Sequence, residues 1–346
     1  MEYKNYTPFP SLCFETLWPD NREYYTIVVR ATANIVPGDA LHLAEEQIPL
    51  FVTDAYFGQP GASSLRYPND LAPFKPRADI ILNATAYMPS DQPRACAVSV
   101  RVGSLEKKLI VTGPCNWNKA FTGWRVSEPG PIKKQPVRYE YAFGGSFNYT
   151  DEKGERKVID IFNGNPVGAG WRSSLADRLD GGVKQMPAPR IYPYTKEPPV
   201  SGKEYKPEGY GAIAPSWSSR RKYAGSWQAP AEGEDLPSYP SDFDQLFYNS
   251  AHPDLIVPYL NGDEQVELSN LTPAGKLNFA LPGHAVFVAA RYSDSEGEDV
   301  KLPAYLDTLI IEPDEMRAGM VWRATVSVSD DLTALETRMI FRGGED

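Results

Sequence analysis

Alternation of apolar and polar residues with a period of two restricts the fold of this chain more than any other feature. From Cys96 to Val102 the even positions hold Cys or Val, and the odd positions hold Ala, Ser and Arg. After Gly103-Ser104, strand-like residues return from Lys107 to Thr112. Because successive side chains of a strand point to opposite faces, these segments predict two half-buried strands. We expect them to pair as an antiparallel hairpin with a loop of several residues.

Further segments with strand-like patterns are separated by turn-forming residues. They are Tyr24 to Val29, Ala78 to Ala86, Ala285 to Tyr292, Tyr305 to Glu312, Met320 to Val328 and Arg338 to Arg342. Helix signals are short: Ser173 to Asp180 stops at Gly181-Gly182, and Ser241 to Asp244 has the spacing of a capping box. The pattern predicts a mainly β protein of antiparallel β-sandwich-like units, with few short helices and long loops rich in proline and aromatic residues.

The segment 187–240 differs in composition from the rest of the chain. It holds ten prolines and eight Tyr or Trp residues. A regular sheet cannot use so many residues without an N–H donor, and the aromatic content is too high for a disordered linker. We therefore predict a long ordered loop layer on the core. Its rings are either core or candidate partner-binding residues, and the candidates are Tyr192, Tyr194, Tyr205, Tyr210 and Trp217.

The length allows two domains or one large one. Between Gly113 and Pro136 the strand pattern is interrupted by Trp117, Trp124, Pro129, Pro131 and Pro136. This interruption suggests an N-terminal β unit over 1–125 and a C-terminal β unit over 126–346 that carries the loop layer. One continuous domain remains the alternative.

Charge and cysteine content restrict the function classes. The formal net charge of −10 argues against nucleic-acid binding, which needs a basic surface for phosphates. No stretch approaches the roughly 20 apolar residues of a membrane span, so we expect no membrane insertion.

The first 20 residues contain no apolar run, which predicts no signal peptide and a cytoplasmic protein. Cys13, Cys96 and Cys115 show no CxxC spacing, so we expect reduced thiols without metal.

Enzyme signatures are absent from the sequence. The three histidines show no HExxH spacing, and neither a GxSxG elbow, a GxGxxG motif nor a Walker-type loop occurs. We expect no cofactor and no metal. The one enzymatic alternative is a carbohydrate-binding or glycoside-hydrolysing protein that uses paired carboxylates, Glu140 with Asp242 or Asp244. Against it, Asp242 and Asp244 also suit a helix N-terminus, and Glu140 suits a buried structural acceptor of hydrogen bonds.

Two glycine-centred turns are the most distinctive motifs. They are Tyr139 to Gly145, which ends in Gly144-Gly145, and Asn165 to Trp171, which contains Gly168 and Gly170. Glycine allows a positive φ, and Pro166 restricts Asn165 to extended conformations. The turns either shape a β-rich core or form a rigid platform for a partner.

At these residues the chain resembles a bacterial domain family of long-unassigned function, which is found beside type VI secretion genes and is sometimes fused to pentapeptide repeats. Further matching segments are Lys75 to Asp79, Val111 to Trp117, Arg220 to Gly225, Pro240 to Asp244, Asn261 to Glu264, Leu306 to Leu309 and Val321 to Arg323. The motif positions are Tyr139, Glu140, Phe143, Gly144, Gly145, Asn165, Pro166, Gly168, Arg220, Arg221, Asp242, Phe243, Asp244, Asp307 and Trp322. The chain departs from the family at Tyr141, where a basic residue is usual, and at Pro114-Cys115, where a charged pair is usual.

The resemblance implies a non-enzymatic adaptor or chaperone. Such a protein would bind a toxic effector in the cytosol and help to load it onto the secretion spike. Tyr and Trp give large contact areas at low entropic cost, which agrees with a protein partner. A purely structural subunit of a larger assembly is a further hypothesis, and a self-associating symmetric surface would favour it.

Overall fold

The computed structural model describes residues 1–89, 94–121, 123–150, 156–173, 184–195, 203–226, 239–293 and 298–341. Within them the protein is mainly β, which confirms the predicted fold class. The first strands are β1 (Glu2–Asn5), β2 (Ser11–Leu17), β3 (Glu23–Asn34), β4 (His42–Leu43), β5 (Ala55–Tyr56), β6 (Leu65–Tyr67), β7 (Ala78–Leu82), β8 (Thr85–Tyr87), β9 (Ala95–Val102), β10 (Leu105–Thr112), β11 (Asn116–Ala120), β12 (Gly123–Val126) and β13 (Lys134–Pro136).

The remaining described elements follow in chain order. The strands are β14 (Phe143–Gly144), β15 (Ser146–Thr150), β16 (Arg156–Ile161), β17 (Ala169–Gly170), β18 (Gln185–Pro187), β19 (Ile191–Pro193), β20 (Ile256–Val257), β21 (Gln265–Ser269), β22 (Lys276–Ala280), β23 (His284–Tyr292), β24 (Val300–Glu312), β25 (Arg317–Ser327) and β26 (Leu332–Phe341). The helices are α1 (Ser218–Arg221) and the 3₁₀ turns Tyr139–Tyr141, Gln245–Tyr248, Pro253–Leu255 and Pro313–Glu315.

The largest sheet has ten strands and is nearly closed. Its main order is β1-β26-β23-β24-β25-β3-β2, with β4, β7 and β20 attached to it. Side chains link its two ends, because the Tyr3 hydroxyl donates to Ser11 Oγ over 2.7 Å and Asn5 Nδ2 donates to the Phe9 carbonyl over 2.7 Å. Most pairings are antiparallel, whereas β1 with β26 and β7 with β24 are parallel.

Strand β3, which lies between β25 and β2, is buried on both faces. Every residue from Thr26 to Ala33 is buried, and β25 pairs with the strand along its length. Arg30 lies inside this run, where its guanidinium meets the Asp70 carboxylate over 3.1 Å. A buried charge needs such a partner, because an unpaired one would cost several kcal/mol.

The second sheet confirms the predicted hairpin. It has the order β19-β10-β9-β21-β22, and β9 pairs with β10 antiparallel from Ala95 opposite Thr112 to Val102 opposite Leu105. The expected loop of several residues was wrong, since Gly103 and Ser104 alone connect the two strands. Gly103 has a φ of +55°, as short hairpin turns require.

One hydrophobic core joins the two sheets. It contains Ile27 and Val29 from the large sheet together with Val98, Leu109 and Leu268 from the small one. A second, smaller cluster is built from Cys115, Trp117, Phe143 and Ala188. The described residues thus pack as layers around a shared interior, as β-sandwich-like units do.

Strand pairing crosses the suggested boundary at residue 125. β3 lies beside β25, and β7 lies between β24 and β20. Strands of the 1–125 and 126–346 segments therefore share one sheet, which favours the alternative of one continuous domain.

The other predicted strands are present, but the first residue, the last residue or both differ from the predicted ones. The segment Ala78 to Ala86 is two strands, β7 and β8, separated at Asn83 and Ala84. The predicted helix from Ser173 to Asp180 falls, apart from Ser173, outside the described residues. At the capping box, the 3₁₀ turn begins later than expected: Asp244 is the N-cap residue, and its side chain accepts from the Leu246 N–H over 2.8 Å.

The described parts of the loop layer, 187–195, 203–226 and 239–240, are mainly irregular, as predicted. The layer nevertheless contributes strand β19 to the small sheet, where Ile191 lies opposite Val111. All three cysteines are unpaired thiols in this structure. Across the part of the chain that the structure describes, no helix has the length and apolarity needed to cross a membrane.

Candidate functional site

The two glycine-centred turns pack against each other. Asn165 is fully buried, and its Nδ2 donates to the carbonyls of Tyr139 over 2.8 Å and Phe143 over 3.1 Å. Gly144 has a φ of +154°, and a Cβ atom there would lie 2.2 Å from the Asn165 carbonyl oxygen. A Cβ on Gly168 would lie 2.4 Å from Asn165 Nδ2. These motif residues therefore fix the backbone, and Pro166 lies half-buried beside them.

Glu140 acts as a structural acceptor between these turns and the N-terminal half. Its Oε1 accepts from the Ser64 backbone N–H over 2.9 Å, and its Oε2 accepts from the Ser64 hydroxyl. The predicted backbone partner is confirmed, whereas the side chain is half-buried rather than fully buried.

The three carboxylates of the glycosidase alternative have separate partners. Asp242 is exposed and accepts from the N–H and the hydroxyl of Ser226 over 2.7 and 2.8 Å, which lowers the pKa of its carboxyl. Asp244 caps a 3₁₀ turn, and Glu140 binds Ser64. Among the described contacts, none brings Glu140 together with Asp242 or Asp244 as the acid and base of a glycoside hydrolase would require.

Five aromatic residues were candidates for partner contact, and the structure divides them. Tyr210 and Trp217 lie in the core, with 0% and 4% of their surfaces exposed, so they present no contact surface. The Tyr210 hydroxyl donates to the carbonyls of Val98 over 3.0 Å and Lys107 over 3.2 Å. Burial is the physical reason for this correction.

The other three aromatic candidates reach the surface. Tyr194 is 60% exposed. Tyr192 is half-buried and lines a pocket of 340 Å³ beside Trp117 and Pro189. Tyr205 is half-buried, and its ring meets Phe143 edge-on at 5.4 Å.

Tyr205 also lines a cleft of 680 Å³, which we name the Tyr205 cleft. Its wall carries an ionic cluster that the sequence analysis missed. Lys107 Nζ lies 2.6 Å from a Glu208 oxygen and 2.8 Å from an Asp254 oxygen. His252 is buried beside them, with Nε2 3.6 Å from Glu208. One signal was present in the sequence: Lys107 shares the buried face of β10 with Leu109 and Val111.

The electrostatics of this cluster favour a neutral imidazole. Burial, and then the Lys107 charge, lower the pKa of His252 to about 4. Its Nδ1 accepts from the Asp254 N–H over 3.2 Å. Burial raises the pKa of Glu208. Glu208, His252 and Asp254 are close enough to ligate a metal ion, but the Lys107 ammonium already lies between the two carboxylates and supplies the cation.

The remaining motif residues are structural or border a second concave surface. Asp307 accepts from buried Arg323 over 2.7 Å, and Trp322 stacks on Phe9 in the core at 6.2 Å. The Arg220 guanidinium donates to the carbonyls of Ile213 over 2.8 Å and Phe247 over 3.0 Å, while Arg221 is exposed.

An open groove of 780 Å³ runs beside Phe243, and we name it the Phe243 groove. It brings together segments that are far apart in sequence, and its lining residues are Trp18, Pro19, Asp20, Pro76, Arg77, Asp242, Phe243, Asp244, Gln245 and Leu246. A smaller pocket of 180 Å³ contains Arg220 and shares Arg77 and Leu246 with the groove. The two concavities are therefore adjacent.

Comparison with known families covers most of the chain. The model of a family described as an uncharacterized protein conserved in bacteria, DUF2169, matches residues 20–323. The chain belongs to this family. All the motif positions named above, from Tyr139 to Trp322, lie within the range matched by DUF2169. Neither the curated proteins nor the solved structures contain a match.

Proposed function

We propose that this DUF2169 protein is a non-catalytic adaptor that binds another protein. From the family resemblance in the sequence, we propose further that the partner is a toxic effector of a type VI secretion system, bound in the cytoplasm and loaded with its help onto the secretion spike.

The Phe243 groove is the observation that carries this proposal. It is open, and it joins the Arg77 and Asp242–Asp244 motifs at one surface. Its carboxylates are engaged in structural hydrogen bonds, as Asp242 is with Ser226 and Asp244 with Leu246. A groove with aromatic rings and a mixed-charge rim suits a polypeptide segment, since aromatic anchors dominate protein interfaces.

The test measures capture of a candidate toxin encoded beside the gene. The two proteins are co-expressed, purified as a complex and titrated to obtain a Kd. Gln245→Arg places a long charged side chain in the groove, and we expect it to weaken capture at least tenfold, or about 1.4 kcal/mol. Gln265→Arg is the matched control, because Gln265 is exposed on β21 and lines none of the described cavities.

A second variant tests the loop layer. Tyr192→Ala with Tyr194→Ala should also weaken capture at least tenfold, about 1.4 kcal/mol, with little change in melting temperature. Tyr6→Ala is the control, because Tyr6 is 58% exposed and lies elsewhere. Unchanged capture by both the groove variant and the loop-layer variant would contradict these contact surfaces, and failure of the folded protein to bind any adjacent toxin would contradict the adaptor function.

A further inference from the structure

The pocket next to the Phe243 groove contains a cation without an anionic partner. Arg220 forms no ion pair with any described residue, although its side chain is half-buried and burial lowers its pKa. Nε donates to Phe247 and Nη1 donates to Ile213, and both acceptors are neutral carbonyls. Asp79 and Asp54 act on the charge through space only. Charges shielded from water are normally paired, so this guanidinium is available to an anionic ligand.

Other groups of this Arg220 pocket also lack partners. The Ser219 hydroxyl is buried and makes no hydrogen bond to the described part of the chain. Arg77 is exposed at the pocket wall and forms no ion pair with a described residue. No carboxylate is among the described residues that line the pocket. Two guanidinium groups and one hydroxyl thus offer donors to an anion.

We infer that the Arg220 pocket binds a carboxylate side chain, Glu or Asp, of a polypeptide that lies in the Phe243 groove. The volume of 180 Å³ is below the roughly 300–1,000 Å³ of small-molecule sites, so it suits one side chain. Guanidinium groups match the planar geometry of a carboxylate. Asp20, Asp242 and Asp244 line the adjoining groove, and their charge disfavours a dianion such as phosphate more strongly than a singly charged carboxylate.

This inference deepens the proposed adaptor function, since it specifies the chemistry of one contact. Its test needs no partner protein, so the two ideas can fail separately. The probe is N-acetyl-glutamate amide, titrated into ¹⁵N-labelled protein while the arginine side-chain N–H signals are followed by NMR. We expect a saturable shift of Arg220, with affinity at least tenfold higher than for N-acetyl-glutamine amide.

Three variants connect the signal to the pocket. Arg220→Gln should abolish the response, and Arg221→Gln, an exposed neighbour, should keep it. Because loss of the carbonyl contacts can unfold the Arg220 variant, Arg77→Gln at the exposed wall is the second variant, and it should weaken binding at least threefold. Equal binding of the glutamine probe, or a full response in Arg77→Gln and in folded Arg220→Gln, overturns the inference.

Two further outcomes exclude a partner's carboxylate. Inorganic phosphate is titrated in parallel, and tighter binding of phosphate than of the glutamate probe would make this a site for free anions. The chain's own acidic residues are tested with Glu232→Gln, Glu234→Gln and Asp235→Asn combined. If the glutamate probe binds the triple variant but not the parent protein, those acidic residues compete for the pocket and the inference is overturned. If the probe binds both proteins with the same affinity, the inference is supported.

Discussion

At the scale of single residues, Glu140 connects segments that are far apart in the chain. Its carboxylate receives two hydrogen bonds from Ser64. The sequence indicated that this side chain serves architecture, because it stands beside a glycine turn. It could not identify Ser64, since nothing in the local pattern indicates a contact between residues 64 and 140.

Replacing Glu140 by Ala should lower the free energy of unfolding by roughly 1–3 kcal/mol, because the N–H and hydroxyl of buried Ser64 lose their acceptor. Glu140→Gln keeps one oxygen acceptor and should cost less. Urea titration of the three proteins measures both differences. An alanine variant as stable as the parent would contradict the structural role of this carboxylate.

His252 should make the fold less stable in acid. Its folded pKa is about 4, below the ordinary value of 6.5, so the unfolded chain binds more protons between these values. Stability therefore falls as pH decreases from 7 to 5, by about 2 kcal/mol from this residue. The raised pKa of Glu208 opposes this trend, and the lowered pKa of Asp254 adds to it only at lower pH.

The variant His252→Asn isolates the histidine contribution. Asn keeps an acceptor for the Asp254 N–H but does not titrate, so the pH dependence due to His252 should disappear while that of Glu208 and Asp254 remains. Urea titrations at pH 7 and pH 5 measure the difference between the two proteins. The same loss of stability in both would show that His252 does not cause it.

At the scale of elements, the paired glycine turns require the absence of side chains. Gly144→Ala would bring a Cβ atom to 2.2 Å from the Asn165 carbonyl, at a φ of +154°. We expect a loss of at least about 2 kcal/mol. Gly38→Ala is the control, because Gly38 also has a positive φ, of +81°, but has open space around it. Thermal unfolding compares them, and equal losses would contradict the packing explanation.

Local pattern predicted the elements better than it predicted their partners. The alternation from Cys96 to Val102 and the following turn were sufficient for the β9–β10 hairpin, because strand period and turn chemistry are local. The parallel pairing of β7 with β24 is not encoded in either segment alone. It depends on the whole sheet, so sequence reasoning missed it.

The candidate site was predictable only in part, for a similar reason. An aromatic ring in a proline-rich segment suits both an interface and a core, and composition does not decide between them. Tyr210 and Trp217 are buried, whereas Tyr194 is exposed, and the difference depends on which residues contact the sheets. The cluster of Lys107, Glu208 and His252 forms from three distant segments, so no short motif could indicate it.

At the scale of the whole molecule, the two halves of the chain should not fold independently. Residues 1–125 contain β3 without β25, and residues 126–346 contain β25 without β3. Each fragment would expose a long apolar strand without its neighbours. We expect both fragments to aggregate or to show little amide dispersion in NMR spectra, and to recover native spectra when refolded together. A well-dispersed spectrum from either fragment alone would contradict the single-domain interpretation.

The pairing of β3 with β25 also has a consequence for protein synthesis. Tyr24 lies opposite Ser327, and Asn34 lies opposite Arg317. During synthesis β3 therefore lacks its neighbour β25 until residues 317–327 have left the ribosome. Folding with such distant contacts is slow, and exposed strand edges aggregate in the meantime. We expect nascent chains of this protein to depend on general ribosome-associated folding factors, and chains stalled before residue 317 to be cleared by proteolysis.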